Sequence, residues 1–155
     1  MTPRLRAAGP DDRALLVELM SEFYAESGYE LNRRHAEVAF SNLLADEQLG
    51  LIWVIEADPE PAGYVVLTLG YSMEYGGRDG FIDDLFIRQT FRGQGLGKLA
   101  LAKVRAACEE RGVRALHLEV GRDNDAAHSL YRQAGFVATD RQLLTLRLAD
   151  PTHLA

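Results

Sequence analysis

The sequence predicts an α+β fold, an α/β sandwich: a mixed central sheet of about seven strands covered by four helices, in the order βααβββαβαββ. Three observations carry this. Strand-like runs at 50–57, 62–75 and 81–87 follow one another across short turns rich in Pro and Gly, which is the pattern of an antiparallel meander. The third run leads through a glycine-rich elbow into a long helical segment and then another strand-like run at 113–120. Such a crossover makes its two strands parallel. Helical periodicity marks two segments before the meander and one after the crossover.

In chain order, residues 3–8 read as a short strand in which Leu5 is the one large apolar residue. Gly9-Pro10-Asp11-Asp12 starts a helix, with a proline followed by acids at the positive end of the dipole. That helix reaches about residue 26, burying Leu15, Leu16, Leu19, Met20 and Phe23, and Ser27-Gly28 ends it. A second helix covers 32–45, with Val38, Phe40, Leu43 and Leu44 apolar. Residues 24–30 between them are aromatic and acidic, either a surface loop or one wall of an amine pocket. The meander follows, its turns at 58–61 and 76–80. The long helix, 96 to about 111, carries a stripe of Leu96, Leu99, Ala100, Lys103, Val104, Ala107 and Cys108. Asn124 caps a shorter helix with Ala127, Leu130 and Tyr131 on one face, and Gly135 stops it. Residues 136–139 and 142–148 read as a closing pair of strands, and 150–153 as a loose tail.

At 155 residues the chain is expected to form one domain, 1–155. An apolar fraction of 47% with 26% charged residues is ordinary for a globular protein, and a net charge of −6 argues against a nucleic-acid footprint. No run reaches the roughly 18 apolar residues of a membrane span, and the N-terminus lacks a signal-peptide core, so a cytoplasmic location is expected. The single cysteine, Cys108, falls on a helix's inner stripe and reads as a small buried hydrophobe. No metal is expected.

The densest chemistry lies at 92–98. Gly93, Gly95 and Gly97 strip side chains from the start of a helix whose first N–H groups lack intrahelical partners and carry the positive end of the dipole. This suits a phosphate or pyrophosphate, and Arg92 and Lys98 add positive charge. The spacing fits neither the P-loop G-x-x-x-x-G-K-[ST] nor the dinucleotide G-x-G-x-x-G. It does fit R-x-x-G-x-G, as Arg92-Gly93-Gln94-Gly95-Leu96-Gly97, directly after an apolar strand.

That loop resembles the acetyl-CoA pyrophosphate loop of the GNAT-type N-acetyltransferases, [QR]-x-x-G-x-[GA]. A second stretch, Asn124-Asp125-Ala126-Ala127-His128-Ser129-Leu130-Tyr131-Arg132-Gln133-Ala134-Gly135-Phe136, is similar to that family's N-x-x-A-x-x-[LF]-Y-x-x-x-G-F. The order of elements matches a GNAT fold over nearly the whole chain. The resemblance implies acetyl-CoA as co-substrate. It implies that backbone groups of Leu85, Phe86 and Ile87 pair with the pantetheine arm. Amides of Gly93, Gln94, Gly95, Leu96, Gly97 and Lys98 would cradle the pyrophosphate, with Arg92 helping. Asn124 would hold the cofactor near its thioester, and Tyr131 would protonate the departing thiolate.

An amine of pKa about 10.4 must lose a proton before it attacks, at about 4.6 kcal/mol at pH 7, so a base is required. Asp83 and Asp84 are two acids in an apolar strand. Adjacent strand residues face opposite ways, so one of them meets the substrate unless a bulge intervenes. Asp84 is the preferred base, with Asp83 and Glu119 behind it. His117 reads as structural. The expected reaction is direct acetyl transfer to a primary amine, more readily a small molecule (polyamine-, aminoglycoside- or amino-acid-like) because Glu22, Tyr24, Glu26, Tyr29, Glu30, Glu74 and Tyr75 fall where the family builds its acceptor site. The alternatives are acetylation of a protein lysine or N-terminus, and a CoA-binding regulatory domain without turnover. No nucleic-acid or membrane partner is expected, and a homodimer is left open.

Overall fold

The computed structural model describes residues 2–149, so the tail read at 150–153 lies outside the described residues. Strand β1 (Pro3–Ala7) is followed by a 3-10 turn (Pro10–Asp12) that runs into helix α1 (Arg13–Ser27), then α2 (Arg33–Ala45). The meander is β2 (Gly50–Ala57), β3 (Glu60–Ser72) and β4 (Gly77–Ile87). A second 3-10 turn (Gln89–Phe91) leads to α3 (Leu96–Glu110), β5 (Ala115–Leu118) and α4 (Asp125–Gln133). The strands lie in chain order, β1-β2-β3-β4-β5. Every pairing is antiparallel except β4 with β5, which the α3 crossover makes parallel.

Alternation along the strands divides the core into two layers. Trp53, Ile55 and Ala57 of β2, with Val65 and Leu67 of β3, pack on the α3 residues Leu96, Ala100, Leu101, Val104 and Cys108. Ile52, Val54, Tyr64 and Val66 face the other way, onto Leu16, Val17 and Leu19 of α1 and Ala36 and Phe40 of α2. Gly28 ends α1 in the left-handed region at φ 78°, and Asn32 caps α2 by accepting from the His35 amide at 3.0 Å. Leu101 is buried where Leu99 was expected, and Leu99 is 37% exposed. The two flank Ala100 on opposite sides of the stripe, and periodicity alone does not say which way the helix leans.

Asp12 ties the first strand to the first helix. Its carboxylate accepts from both Arg6 terminal nitrogens (2.8 and 3.0 Å) and from the Gly9 amide (2.8 Å). The Arg6 hydrogen bonds hold this carboxyl below the usual carboxylate range. A depressed carboxyl pKa contributes stability above the unfolded value, and the contribution disappears as pH falls through the folded one. Asp12→Ala should therefore cost about 1–2 kcal/mol at pH 7, discounted because Arg6 is partly solvated. Urea denaturation should show the gap to the native chain closing toward pH 3.

The structure corrects the sequence reading in three places. The hairpin turn is at 73–76, so β4 starts at Gly77 rather than 81 and β3 stops at Ser72. β5 keeps four residues of the run read at 113–120. Residues 136–139 and 142–148, read as closing strands, pair with nothing: among the described residues the sheet has five strands instead of about seven. Alternating leucines make a strand only where an edge receives them, and here Leu144, Leu146 and Leu148 stand in solvent.

Candidate active site

The chemistry gathers where β4 outruns β5. The parallel pairing covers only Asp79–Ile82 against Ala115–Leu118, so beyond Ile82 the β4 edge that faced β5 has no strand beside it among the described residues. On its other edge the register steps between Leu67↔Ile82 and Val66↔Asp84, leaving Asp83 as the extra residue of a β-bulge. The bulge reverses the alternation. Ile82 belongs to the α3 layer, whereas Phe86, four residues on, belongs to the α1–α2 layer. Asp84 therefore shares the Phe86 face, and its carboxylate accepts a hydrogen bond from the Tyr64 hydroxyl at 2.9 Å. Asp83 follows Ile82 and so alternates onto the face that Asp84 takes after the step, which puts the two carboxylates on one side of the sheet.

The environment of that side sets its protonation. Burial pushes the Asp84 carboxyl up to about 7, the Asp83 charge adds to the rise, and the Tyr64 hydrogen bond opposes it. Asp83 is open to solvent at its surface, yet the protein crowding around it also raises its carboxyl. Burial, then the nearby aspartates, raise the Tyr64 and Tyr24 hydroxyls, keeping both protonated at neutral pH. Phe23 stacks on Phe86 with centroids 5.2 Å apart, and Tyr24 meets Tyr29 edge-on at 6.0 Å, giving the acids an aromatic floor and wall. Sequence reading missed Tyr64. Its one signal was an aromatic hydroxyl set in the apolar run of β3, where a buried polar tip needs a partner.

At the mouth of α3, Gly95 is the N-cap at φ 81° and Gly93 lies at φ 77°, conformations that side-chain-bearing residues rarely adopt. A Cβ at either position would meet no protein atom within 4 Å. No side chain caps the helix, so its leading amides keep their donors for another partner. Gly97 acts differently. A Cβ there would sit 3.0 Å from the end of Leu130, so this glycine lets α4 approach α3. Lys98 is exposed on the first turn.

Arg92 turns away from the loop. Its Nε donates to the Ile87 carbonyl at 2.9 Å, a terminal nitrogen pairs with Glu26 at 2.5 Å, and the guanidinium lies 5.9 Å from the Phe86 ring centroid. It braces the elbow between β4 and α3 against α1. Glu22 is likewise committed, in a two-pronged pair with Arg88 at 2.9 and 2.7 Å. Glu74 pairs with Arg141 at the β3–β4 turn, and Tyr75 packs on His117 at 5.7 Å. Of the acids and tyrosines expected around the acceptor, Tyr24 is the one within reach of both aspartate charges, Tyr29 packs on it, and Glu30 is exposed. His117 pairs with Asp79 at 3.3 Å and packs on Phe81, a framework position, and Glu119 is exposed.

Asn124 caps α4, its side-chain oxygen accepting from the Ala127 amide at 3.2 Å. Farther along the helix, Tyr131 packs edge-on against Phe136 at 5.9 Å and leans on the α3 layer. Burial raises its hydroxyl, which has no hydrogen-bond partner among the described residues. Cys108 is buried in the α3 stripe with its thiol pushed up by burial, the opposite of an activated nucleophile.

A model of the acetyltransferase (GNAT) family matches residues 14–136. An aminoglycoside N(6')-acetyltransferase type 1 from Stenotrophomonas maltophilia is 25% identical over 142 residues, covering 90% of this chain and 89% of its own. An uncharacterized N-acetyltransferase of Bacillus subtilis, YycN, is 30% identical over 132 residues, 84% of this chain and 73% of its own. Among solved structures, an integron cassette protein from a salt-marsh metagenome superposes with a TM-score of 0.87 at 47% identity, over 96% of this chain and 93% of that one.

Proposed function

The chain belongs to the acetyltransferase (GNAT) family, and from that premise we infer that it transfers an acetyl group from acetyl-CoA to a primary amine of a small, cationic molecule. The observation that carries the acceptor side is the bulge at Asp83, which puts two carboxylates on one face beside Tyr24 and Tyr64. Paired acids over aromatic rings favour an amine that arrives as a cation. The aminoglycoside-acetylating relative, at 25% identity, agrees with such an acceptor.

The residues present suit acetyl-CoA. Glycines at positive φ with nothing over them, at an uncapped helix mouth, match a diphosphate that needs bare amides and the positive end of a dipole. The open edge of β4 from Leu85 to Ile87 offers N–H and C=O groups to an extended amide-bearing arm. Asn124 and Tyr131 stand on α4, which Gly97 brings against α3. When bound, the cofactor supplies the acetyl thioester that the amine attacks.

The chain's own groups then handle two protons. The Asp84 carboxylate takes one from the ammonium nitrogen, directly or through a water, leaving a neutral amine. A carboxyl near 7 is matched to that proton transfer, since at neutral pH a large fraction is ionised and its basicity is higher than a surface carboxylate's. A backbone N–H near Leu85 would meet negative charge developing on the acetyl oxygen. Tyr131 Oη, kept protonated by its burial, would donate a proton to the departing sulfur and regain one from the acylated nitrogen, which leaves the neutral amide and the free thiol.

The test is thiol release from acetyl-CoA across polyamines, aminoglycosides, amino acids and peptides. Turnover on cationic small amines is expected. Turnover on peptides alone would replace this reading with protein acetylation, and CoA binding without any turnover would replace it with a regulatory role. Tyr131→Phe should lower kcat roughly 10- to 100-fold, the low end for a general acid because thiolate leaves readily. Its CoA dissociation constant should be unchanged by calorimetry, and an unaltered kcat would remove Tyr131 from the proton transfer.

A further inference from the structure

Among the described residues the Asp84 carboxylate has one hydrogen-bond partner, the Tyr64 hydroxyl at 2.9 Å. That bond is a product of strand register. Val66 lies opposite Asp84 and Tyr64 opposite Phe86, so Tyr64 and Asp84 are diagonal neighbours on one face of the β3–β4 pair. A diagonal pair stands about 7–8 Å apart, a gap that a tyrosine spans and a short polar side chain does not. The step in register also selects the acid. Had the pairing continued unbroken from Leu67↔Ile82, Asp83 would lie opposite Val66, and the hydroxyl would meet that carboxylate instead.

The hydroxyl is held in place by its ring. Tyr64 is 0% exposed, edge-on to Phe40 at 6.1 Å and tilted against Phe86 at 6.4 Å, in the layer that Leu16, Leu19 and Val54 also fill. Burial, then the nearby aspartates, keep the phenol protonated, so it donates whether Asp84 is charged or neutral. Most side-chain hydrogen bonds go to backbone or water, whereas this one goes to a carboxylate. It occupies Oδ2 and leaves Oδ1 with no hydrogen bond among the described residues. The other titratable groups facing Asp84 are Asp83 on its own strand and Tyr24 from α1. In the same cluster α2 buries Ala36 and Phe40, and β2 buries Ile52 and Val54, none of which carries a titrating proton.

We propose that Tyr64 is a positioning residue for acetyl transfer: its hydroxyl anchors Oδ2 of Asp84, so that Oδ1 is the oxygen that receives the ammonium proton. This role rests on Asp84 being the base, as in the acetyl-transfer reading. In the step it serves, an N–H bond of the ammonium breaks, an O–H bond forms at Oδ1, and Tyr64 keeps its own proton throughout. The anchoring bond has a second consequence. A donor aimed at a carboxylate favours the charged form, so Tyr64 opposes the rise in proton affinity that burial imposes on Asp84.

A titration of carboxyl carbons by NMR, on the chain labelled at aspartate, tests this without acceptor or cofactor. The Asp84 signal is the one lost in Asp84→Asn, and its native midpoint should lie near 7. Tyr64→Phe keeps the ring and its packing and should raise that midpoint by about one pH unit, the worth of one hydrogen bond to a charge. Asp83, which has no bond from Tyr64, should titrate as before. On an amine that turns over, the acid limb of kcat/KM should move up equally in Tyr64→Phe, and its plateau should fall roughly 3- to 10-fold. CoA affinity by calorimetry should be unchanged. In the Asp84→Asn background, Tyr64→Phe should cost nothing further. An Asp84 midpoint that stays put in Tyr64→Phe overturns the proposal while leaving Asp84 as the base. So does an equal loss of rate in both backgrounds, which is the mark of a packing defect. A native acid limb that persists in Asp84→Asn, or no turnover on any amine, overturns the base reading, and the positioning role falls with it.

Discussion

Gly95→Val should lower affinity for CoA by at least 100-fold, the largest binding effect expected of any single substitution outside the core. Gly95 sits at φ 81° as the N-cap of α3. A β-branched residue there is a genuine outlier, costing about 1–2 kcal/mol or more in backbone strain, so the loop must shift to relieve it. Shifting the loop disperses the amides proposed to hold the diphosphate, and any side chain left in place occupies the surface it would cover. Gly112→Val separates strain from ligand loss. Gly112 has φ 69° and no neighbour within 4 Å, but it lies at the opposite end of α3. Both variants should lose stability in denaturant titrations, and only Gly95→Val should lose CoA binding by calorimetry. Native CoA affinity in the Gly95 variant would remove the helix mouth as the diphosphate site.

Asp84→Asn should lower kcat/KM by roughly 10²–10⁴-fold, the usual worth of a positioned base, while leaving CoA affinity intact. The pH profile identifies the group. In the native enzyme the acid limb of kcat/KM should bend near 7, where Asp84 loses its proton, with a separate bend near the pKa of the amine. Asn should abolish the first bend and keep the second. Stability should move the other way. A carboxyl whose folded pKa is raised contributes most below its unfolded value, near 4, and that contribution is lost as pH rises through about 7. Above pH 7 the native chain carries a buried negative charge beside Asp83. Removing it should stabilise the protein by about 1–3 kcal/mol at pH 8 and by much less at pH 4, because Asn keeps an oxygen for the Tyr64 hydroxyl. An Asn variant that keeps full activity would take Asp84 out of the mechanism. One destabilised at pH 8 would mean that the charge is compensated in the fold.

The site was legible in proportion to how local its determinants are. The glycine loop, the cap at Asn124 and the stop at Gly28 depend on a few consecutive residues and their φ preferences, and the structure has them where the sequence placed them. Arg92 illustrates the limit: its charge is beside the loop in sequence, but its guanidinium goes to Glu26, 66 residues away. Tyr64 was missed as a site residue because its partner, Asp84, comes from another strand with a shifted register. The same shift decided the aspartate question. Two adjacent acids in a regular strand would face opposite layers, and one inserted residue put them on one.

By itself, then, the sequence determined the helices, the meander, the parallel crossover and the bare helix mouth, because periodicity, capping and glycine conformations act within a few residues. Only the tertiary structure decided which acids meet, which acids the arginines pair with, and that 142–148 joins no strand of the sheet among the described residues. Those outcomes rest on strand register and on edges between distant segments, where one residue of slip exchanges the two faces of a strand.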